Sequence, residues 1–273
     1  MGYYKIKFIT LNSHKIKDSL YSVNVLSRLN GKISIRINGT GKPKSRFSKL
    51  NNPGYVCDGT VYLSKESGSL ILSEAEIIRD FSELRNSMDG LNCISYLTNF
   101  ISGLLPEKMR IKGYYENTVD FFGMENCESV LKINLFRFYT LHKLGYIPEI
   151  ADCGNCCEPI TNDAYFSFLE NNIYCANCGL SSGKSAGSGG EKKLCFTKSG
   201  KDFVFGNDFL RYYNKLTEIL KSDNFSGFFE SENGSGFQKK LENFIELFIM
   251  NINHNDLKSF KLLKSINSEF SVG

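Results

Sequence analysis

The stretch Tyr21-Ser22-Val23-Asn24-Val25-Leu26-Ser27-Arg28-Leu29-Asn30-Gly31-Lys32-Ile33-Ser34-Ile35-Arg36-Ile37 sets the fold class of the first third of the chain. Tyr21, Val23 and Val25 alternate with Ser22 and Asn24, and Ile33, Ile35 and Ile37 alternate with Lys32, Ser34 and Arg36. Successive side chains on a strand point to opposite faces, so each run has one apolar and one polar face. Asn30-Gly31 between them predicts a two-residue type I′ hairpin, whose central residues must both accept positive φ. The isoleucine face is then buried, and Lys32 and Arg36 lie on the outer face.

Moving outward from this hairpin, Ile6 and Phe8 alternate with lysines near the start. Two further strands are expected over Tyr55–Leu63 and Leu70–Ile78, with a turn at Ser67-Gly68 between them. Five short strands within eighty residues match the strand count of an OB-fold barrel. Beyond residue 80 the apolar period lengthens. Leu91, Ile94, Leu97 and Ile101, and then Leu131, Leu135, Phe138 and Leu141, recur at helical spacing. Leu144-Gly145-Tyr146-Ile147-Pro148 supplies a stop, with glycine at the helix end and proline beyond. Two more helices are expected near Asn207–Leu220 and Gly236–Asn251. The expected class is α+β: an OB-fold domain over 1–80 and a mainly helical domain over 81–273. The second domain carries a metal-binding segment at 150–180 and a flexible Ser/Gly loop at 179–190.

The sharpest chemical signal is Cys153-x2-Cys156, eighteen intervening residues, then Cys175-x2-Cys178. Each CxxC turn aims two sulfurs at one point, and two turns complete a tetrahedron suited to one Zn²⁺ per chain. With all four positions filled by thiolates no open site is left for water, so the expected role is structural. Cys157 competes with Cys156 for the first knuckle; Cys156 is favoured because it repeats the spacing of Cys175 and Cys178.

The net charge of +4 conceals an uneven distribution. Residues 1–50 hold eleven Lys and Arg and a single acid, Asp18, while the other 223 residues hold 22 basic and 28 acidic residues. A positive end on an acidic body points to a polyanion partner at that end. The candidate contacts are Arg28, Lys32, Arg36, Lys42, Lys44, Arg46 and Lys49, the last four in or beside the loop that follows the third strand. Lysine-rich solvated surfaces are also common, so charge alone leaves both readings open. Aromatic residues able to stack on bases are plentiful in this half (Tyr3, Tyr4, Tyr21, Phe47, Tyr55, Tyr62), but none stands out.

Several functions lose support. The Gly39–Phe47 loop is not a phosphate-binding P-loop, because Arg36 and Pro43 stand where that pattern needs glycine and Ser/Thr. His14, His142 and His254 lie far apart. One acid in fifty residues leaves the basic half without a two-metal carboxylate site. A ligase-type K-x-D-G nucleophile is missing, since Val56 and Ser87 precede the two Asp-Gly pairs, Asp58-Gly59 and Asp89-Gly90. No catalytic residue is therefore assigned. There is no apolar leader at the start and no run long enough to span a bilayer, so a cytosolic location is expected.

These pieces together resemble the RecO family. The resemblance is carried by Gly39-Thr40-Gly41-Lys42-Pro43-Lys44-Ser45-Arg46-Phe47 after the third strand and by Gly68-Ser69-Leu70-Ile71-Leu72-Ser73-Glu74-Ala75-Glu76 at the end of the barrel. Leu144-Gly145-Tyr146-Ile147-Pro148 before the first CxxC, Phe166-Ser167 before the second, and Leu257–Leu263 near the end extend it along nearly the whole chain. Departures are Cys157 in place of the usual glycine, a long Ser/Gly segment, and Glu191-Lys192-Lys193 with Cys195 beyond it. The resemblance implies a non-enzymatic, nucleoid-associated DNA repair and recombination mediator. Such a protein binds single- and double-stranded DNA, anneals complementary strands and helps load a recombinase. Its implied partners are a RecR-type protein and the acidic tail of the single-strand-binding protein. The competing reading is a zinc-ribbon protein-interaction adaptor whose basic charge is incidental.

Overall fold

A computed structural model describes residues 2–39, 45, 47–168, 170, 172–181, 202–222, 224–229 and 236–252. The chain divides into two compact units, 1–136 and 137–273.

The first unit is built on five strands: β1 (Tyr3–Lys17), β2 (Leu20–Ser27), β3 (Gly31–Asn38), β4 (Val56–Leu63) and β5 (Leu70–Arg79). They close in the order β1-β2-β3-β5-β4, with β4 returning to β1. Every pairing is antiparallel except β3 with β5, where Ile35 faces Leu70 and Arg36 faces Ile71. Closure removes the free edges that an open sheet would leave for other chains. The interior is filled by Ile6, Phe8, Val23, Val25, Ile33, Ile35, Ile37, Cys57, Val61 and Leu72, with Phe47, Leu50 and Tyr55 from the 3-10 turn region that follows β3. β3 alternates as its sequence requires, with Ile33, Ile35 and Ile37 buried and Ser34 exposed.

The hairpin between β2 and β3 departs from the expected turn. Ser27 pairs with Gly31, so Arg28, Leu29 and Asn30 form a three-residue connection, and Gly31 takes the left-handed conformation at φ 66°. Its α-carbon faces the Met109 carbonyl, where an added Cβ would lie 2.0 Å from that oxygen. A glycine is thus needed for close approach as well as for backbone freedom.

Helices α1 (Ser82–Arg85), α2 (Met88–Leu104) and α3 (Tyr114–Phe122) complete this unit. Ser87 caps α2, its side chain accepting from the Gly90 amide at 2.9 Å. α3 is not visible as a periodic run in the sequence: it is only nine residues long, too short to show an amphipathic repeat.

α4 (Val130–Lys143) crosses the division between the units. It ends as its sequence predicts: Gly145 has φ 77°, its amide donates to His142 O, and the Tyr146 amide donates to Leu141 O. These are the two bonds of a Schellman stop. The second unit also holds β6 (Ala164–Ser167), β7 (Asn172–Cys175), α5 (Ala176–Ser181), β8 (Asp202–Phe205), α6 (Asn207–Lys221), α7 (Phe225–Phe229) and α8 (Gln238–Ile252). Its core is aromatic, with Phe166, Phe205, Phe209, Tyr213, Phe244 and Phe248 in mutual ring contact. The buried Arg137 guanidinium pairs with Glu246 and ties α4 to α8.

The small sheet β7-β6-β8 has no counterpart in the sequence reading. Its strands are four residues each, and β8 joins from 35 positions beyond the end of β6 in sequence order, a pairing that local pattern does not encode. Residues 179–181 close helix α5 instead of opening a loop. The remainder of the expected Ser/Gly loop, Cys195, and the Leu257–Leu263 segment lie outside the described residues.

Candidate metal centre and nucleic-acid interface

The first knuckle, Cys153-Gly154-Asn155-Cys156, is a tight turn closed by the Cys157 amide donating to Cys153 O at 2.9 Å. The Gly154 amide donates to Ile173 O on β7, which draws the knuckle onto that strand. Gly154 packs against the Asn172 side chain, and an added Cβ would lie 2.2 Å from Asn172 Oδ1, so a larger residue would displace that side chain. The second knuckle begins at the last residue of β7, Cys175, and enters α5 to bring Cys178 alongside.

The four sulfurs of Cys153, Cys156, Cys175 and Cys178 lie within 4.8 Å of one another, with Cys156 Sγ to Cys175 Sγ at 3.8 Å. A tetrahedral thiolate site with metal–sulfur bonds of about 2.3 Å needs sulfurs about 3.8 Å apart. The donor set and its geometry therefore fit a soft, tetrahedral divalent cation. Two N–H groups point at the sulfurs: the Cys175 amide reaches Cys153 Sγ at 3.3 Å and Asn155 Nδ2 reaches Cys178 Sγ at 3.4 Å. Such donors spread thiolate charge and orient the ligands.

The thiols are electrostatically unequal. Burial opposes ionisation of Cys153, but hydrogen bonds from the backbone of Cys156, Cys175 and Asn155 outweigh it and bring its pKa down to about 6. At Cys156 the backbone of Glu158 favours the thiolate, yet its hydrogen bonds with Cys153, Cys178 and Cys175, together with desolvation, push the thiol up to about 12. Four sulfurs this close do not all carry charge without a cation among them. Cys157 lies outside the cluster: it is exposed and sits in the left-handed region at φ 60°. That conformation is the one glycine adopts freely.

Several basic residues of the barrel line two grooves. The first, of about 540 Å³, is lined by Lys32 and Arg36 of β3, His14 and Ile16 of β1, Leu63, Leu70, Glu107 and Lys108. Lys32 and Arg36 share its floor, but their situations differ. Lys32 Nζ donates to the Ser102 carbonyl at 2.7 Å. Burial lowers its pKa, and the Glu107 carboxylate partly offsets this. Arg36 has no ion-pair partner among the described residues. Lys49 is exposed on the 3-10 turn Ser48–Asn51. Lys42, Lys44 and Arg46 lie outside the described residues.

Arg28 is placed elsewhere. Its backbone amide donates to Lys7 O, and its side chain pairs with Glu116 of α3 at 2.6 Å. It belongs to a second groove of about 570 Å³, lined also by Lys5 and Lys7 of β1, Asp58 of β4, and Arg110 and Lys112 of the segment between α2 and α3.

Two family models match the chain: "Recombination protein O N terminal" over residues 1–81 and "Recombination protein O C terminal" over 85–191. The chain belongs to the RecO family. The protein named "DNA repair protein RecO" from Acetivibrio thermocellus is 22% identical over 181 residues, 65% of this chain and 71% of the relative. Its namesake from Caldanaerobacter subterraneus is 26% identical over 186 residues, 65% and 72% of the two chains. The one from Clostridium acetobutylicum is 23% identical over 254 residues, 89% and 97%.

In this RecO-family chain the four cysteines were legible because CxxC spacing encodes its own geometry. Lys5, Lys7, Arg110 and Lys112 were not selected as a group. Lys5 and Lys7 alternate with buried Ile6 and Phe8, which marks them as outward-facing. Arg110 and Lys112 carried no local signal, because only the packing of the 106–113 segment against the barrel brings them there. No helix among the described residues is long and apolar enough to cross a membrane.

Proposed function

We propose that this chain is a cytoplasmic, nucleoid-associated mediator of DNA repair and homologous recombination. It binds single- and double-stranded DNA through its barrel, anneals complementary strands and helps load a recombinase. The reading rests on one observation: a chain that matches both halves of the RecO family puts eleven of its Lys and Arg residues, against a single acid, into the first fifty positions. Annealing requires no covalent chemistry. Two strands repel through their phosphates, and a cationic surface lowers that cost while releasing counterions. No residue is assigned a catalytic role.

The DNA-binding domain is residues 1–80, and the helical domain 81–273 carries the metal segment 150–180. Cys153, Cys156, Cys175 and Cys178 hold one structural Zn²⁺, which orders the segment without taking part in a reaction. Arg36, Lys32, Lys49 and the loop residues Lys42, Lys44 and Arg46 form a phosphate-tracking surface, with Arg28 contributing from the neighbouring groove. The partners implied by the family are a RecR-type protein and the acidic tail of the single-strand-binding protein.

The experiment is a DNA-binding titration across salt concentrations with Lys42, Lys44 and Arg46 replaced together by alanine. Each lost phosphate contact removes roughly 0.7–0.9 from the log–log salt slope, so a drop of about two to three is expected, with annealing falling in parallel. An unchanged slope and annealing rate would remove the loop from the interface. If the wild-type chain bound DNA only weakly and lost it at modest salt, the adaptor reading would stand instead.

A further inference from the structure

The outer face of the β1–β4 pair carries a feature that the β3 surface lacks. Tyr3 pairs across the strands with Tyr62, Lys5 with Thr60 and Lys7 with Asp58. The Tyr3 and Tyr62 rings contact at 5.6 Å between centroids, tilted by 56°, and Tyr3 is 61% exposed. Going from Tyr3 towards Lys7, this track leads from the exposed Tyr3 and the half-buried Tyr62 into the groove of Lys5, Lys7, Arg28, Arg110 and Lys112. Two of these cations are engaged, Lys7 by Asp58 at 4.0 Å and Arg28 by Glu116. Lys5, Arg110 and Lys112 carry no ion pair among the described residues. On the β5 side the track is flanked by Glu74 and Glu76, whose cross-strand partners are Thr60 and Asp58. An anionic chain is thus repelled from β5 and steered towards the Arg110–Lys112 side.

We infer that the β1–β4 face, from the Tyr3–Tyr62 pair to the Arg110–Lys112 segment, is a second binding site and that it takes single-stranded nucleic acid. The proposal rests on the DNA-binding reading of the barrel and adds a location and a strand type to it. The exposed Tyr3 ring, backed by the half-buried Tyr62 and followed by a basic groove, matches what a single strand offers, free base faces and a phosphate rail. A duplex keeps its base faces stacked inside and has no use for the rings. From Tyr3 to Lys7 the strand runs about 13 Å, room for about four stacked nucleotides at about 3.4 Å each. In the ring of five strands β1 and β4 neighbour β2 and β5, not β3. The Lys32–Arg36 groove also reaches β1 and β4, at His14, Ile16 and Leu63, but it shares no lining residue with the groove of Lys5, Lys7, Arg110 and Lys112, so the barrel offers a strand two distinct grooves.

The test uses the full chain, a fluorescent dT oligomer of about 12 nucleotides and a duplex of equal length. Tyr3→Ala/Tyr62→Ala is expected to weaken oligo(dT) binding at least about fivefold and leave duplex binding unchanged, since stacking is what it removes. Lys5→Ala/Arg110→Ala/Lys112→Ala is expected to lower the oligo(dT) salt slope by about two, at about 0.7 per single-strand phosphate contact. Tyr3→Ala alone keeps the test alive if the double variant fails to fold. Wild-type affinity for oligo(dT) in folded tyrosine variants overturns the site. So does displacement of oligo(dT) by a poly-glutamate peptide together with unaffected tyrosine variants, which would make the groove a seat for acidic polypeptide. If the wild-type chain binds no oligo(dT) at all, the DNA-binding reading of the barrel falls as well.

Discussion

Among the described residues the barrel is organised around thirteen buried side chains, most of them aliphatic, contributed by all five strands and the turn after β3. The segment from 151 to 181 buries far less. Of residues 151–168, 170 and 172–179, only Cys153, Ile160, Ala164, Phe166 and Ile173 are buried apolar positions. Its strands are four residues long, and its two knuckles are held to each other by sulfur geometry. Burial of apolar area stabilises the first region in proportion to that area, at roughly 25 cal/mol per Å². The second has too little area for this, and its four clustered cysteines could hold a metal ion that would take its place. Two parts of one chain are therefore expected to depend on different conditions: one on solvent, the other on metal supply and thiol state.

Metal removal should separate them most strongly. Structural zinc contributes on the order of 10–16 kcal/mol in small zinc-dependent folds at neutral pH. Chelation, or Cys175→Ser, is expected to abolish amide-exchange protection across 151–181 while β1–β5 keep theirs. Loss of barrel protection in the same experiment would show that the two regions do not fold independently. Elemental analysis of the untreated protein should give one zinc per chain.

The converse perturbation is smaller. Phe8, fully buried in the barrel, is expected to cost about 3–5 kcal/mol on replacement by alanine, because the lost contacts leave a cavity. Chemical denaturation monitored on the barrel should report that loss, and zinc content should stay at one equivalent. A variant that lost its zinc as well would join the two regions energetically.

The smallest effect sharpens the knuckle itself. Cys157 holds a left-handed backbone at φ 60°, a conformation that costs a non-glycine residue roughly 1–2 kcal/mol. Glycine removes that cost but gains freedom in the unfolded chain, so Cys157→Gly is expected to stabilise the segment by up to about 1 kcal/mol. The readout is a higher chelator concentration at half-release of the metal, with stoichiometry unchanged. A fall in stoichiometry would make Cys157 a ligand.

The α+β class, the strand-to-helix change near residue 80, the glycine stop after α4 and the four clustered cysteines were all legible from local pattern. Apolar alternation, helical period and CxxC spacing each encode a geometry that spans a few residues, so the chain needs no partner element to declare it. Tertiary structure decided the rest. The turn at Asn30-Gly31 is three residues long because barrel register and the Met109 carbonyl set where the glycine must lie. Lys32 and Arg28, similar in sequence, were separated into different grooves, one bound to a helix carbonyl and the other to Glu116. Arg110 and Lys112 reached the barrel only through the packing of a segment about eighty residues away from Arg28 in the chain. The β7-β6-β8 sheet needed a strand from beyond the Ser/Gly segment. Outward-facing side chains are free of the core's periodicity, and their neighbours are chosen by long-range contacts that no local pattern records.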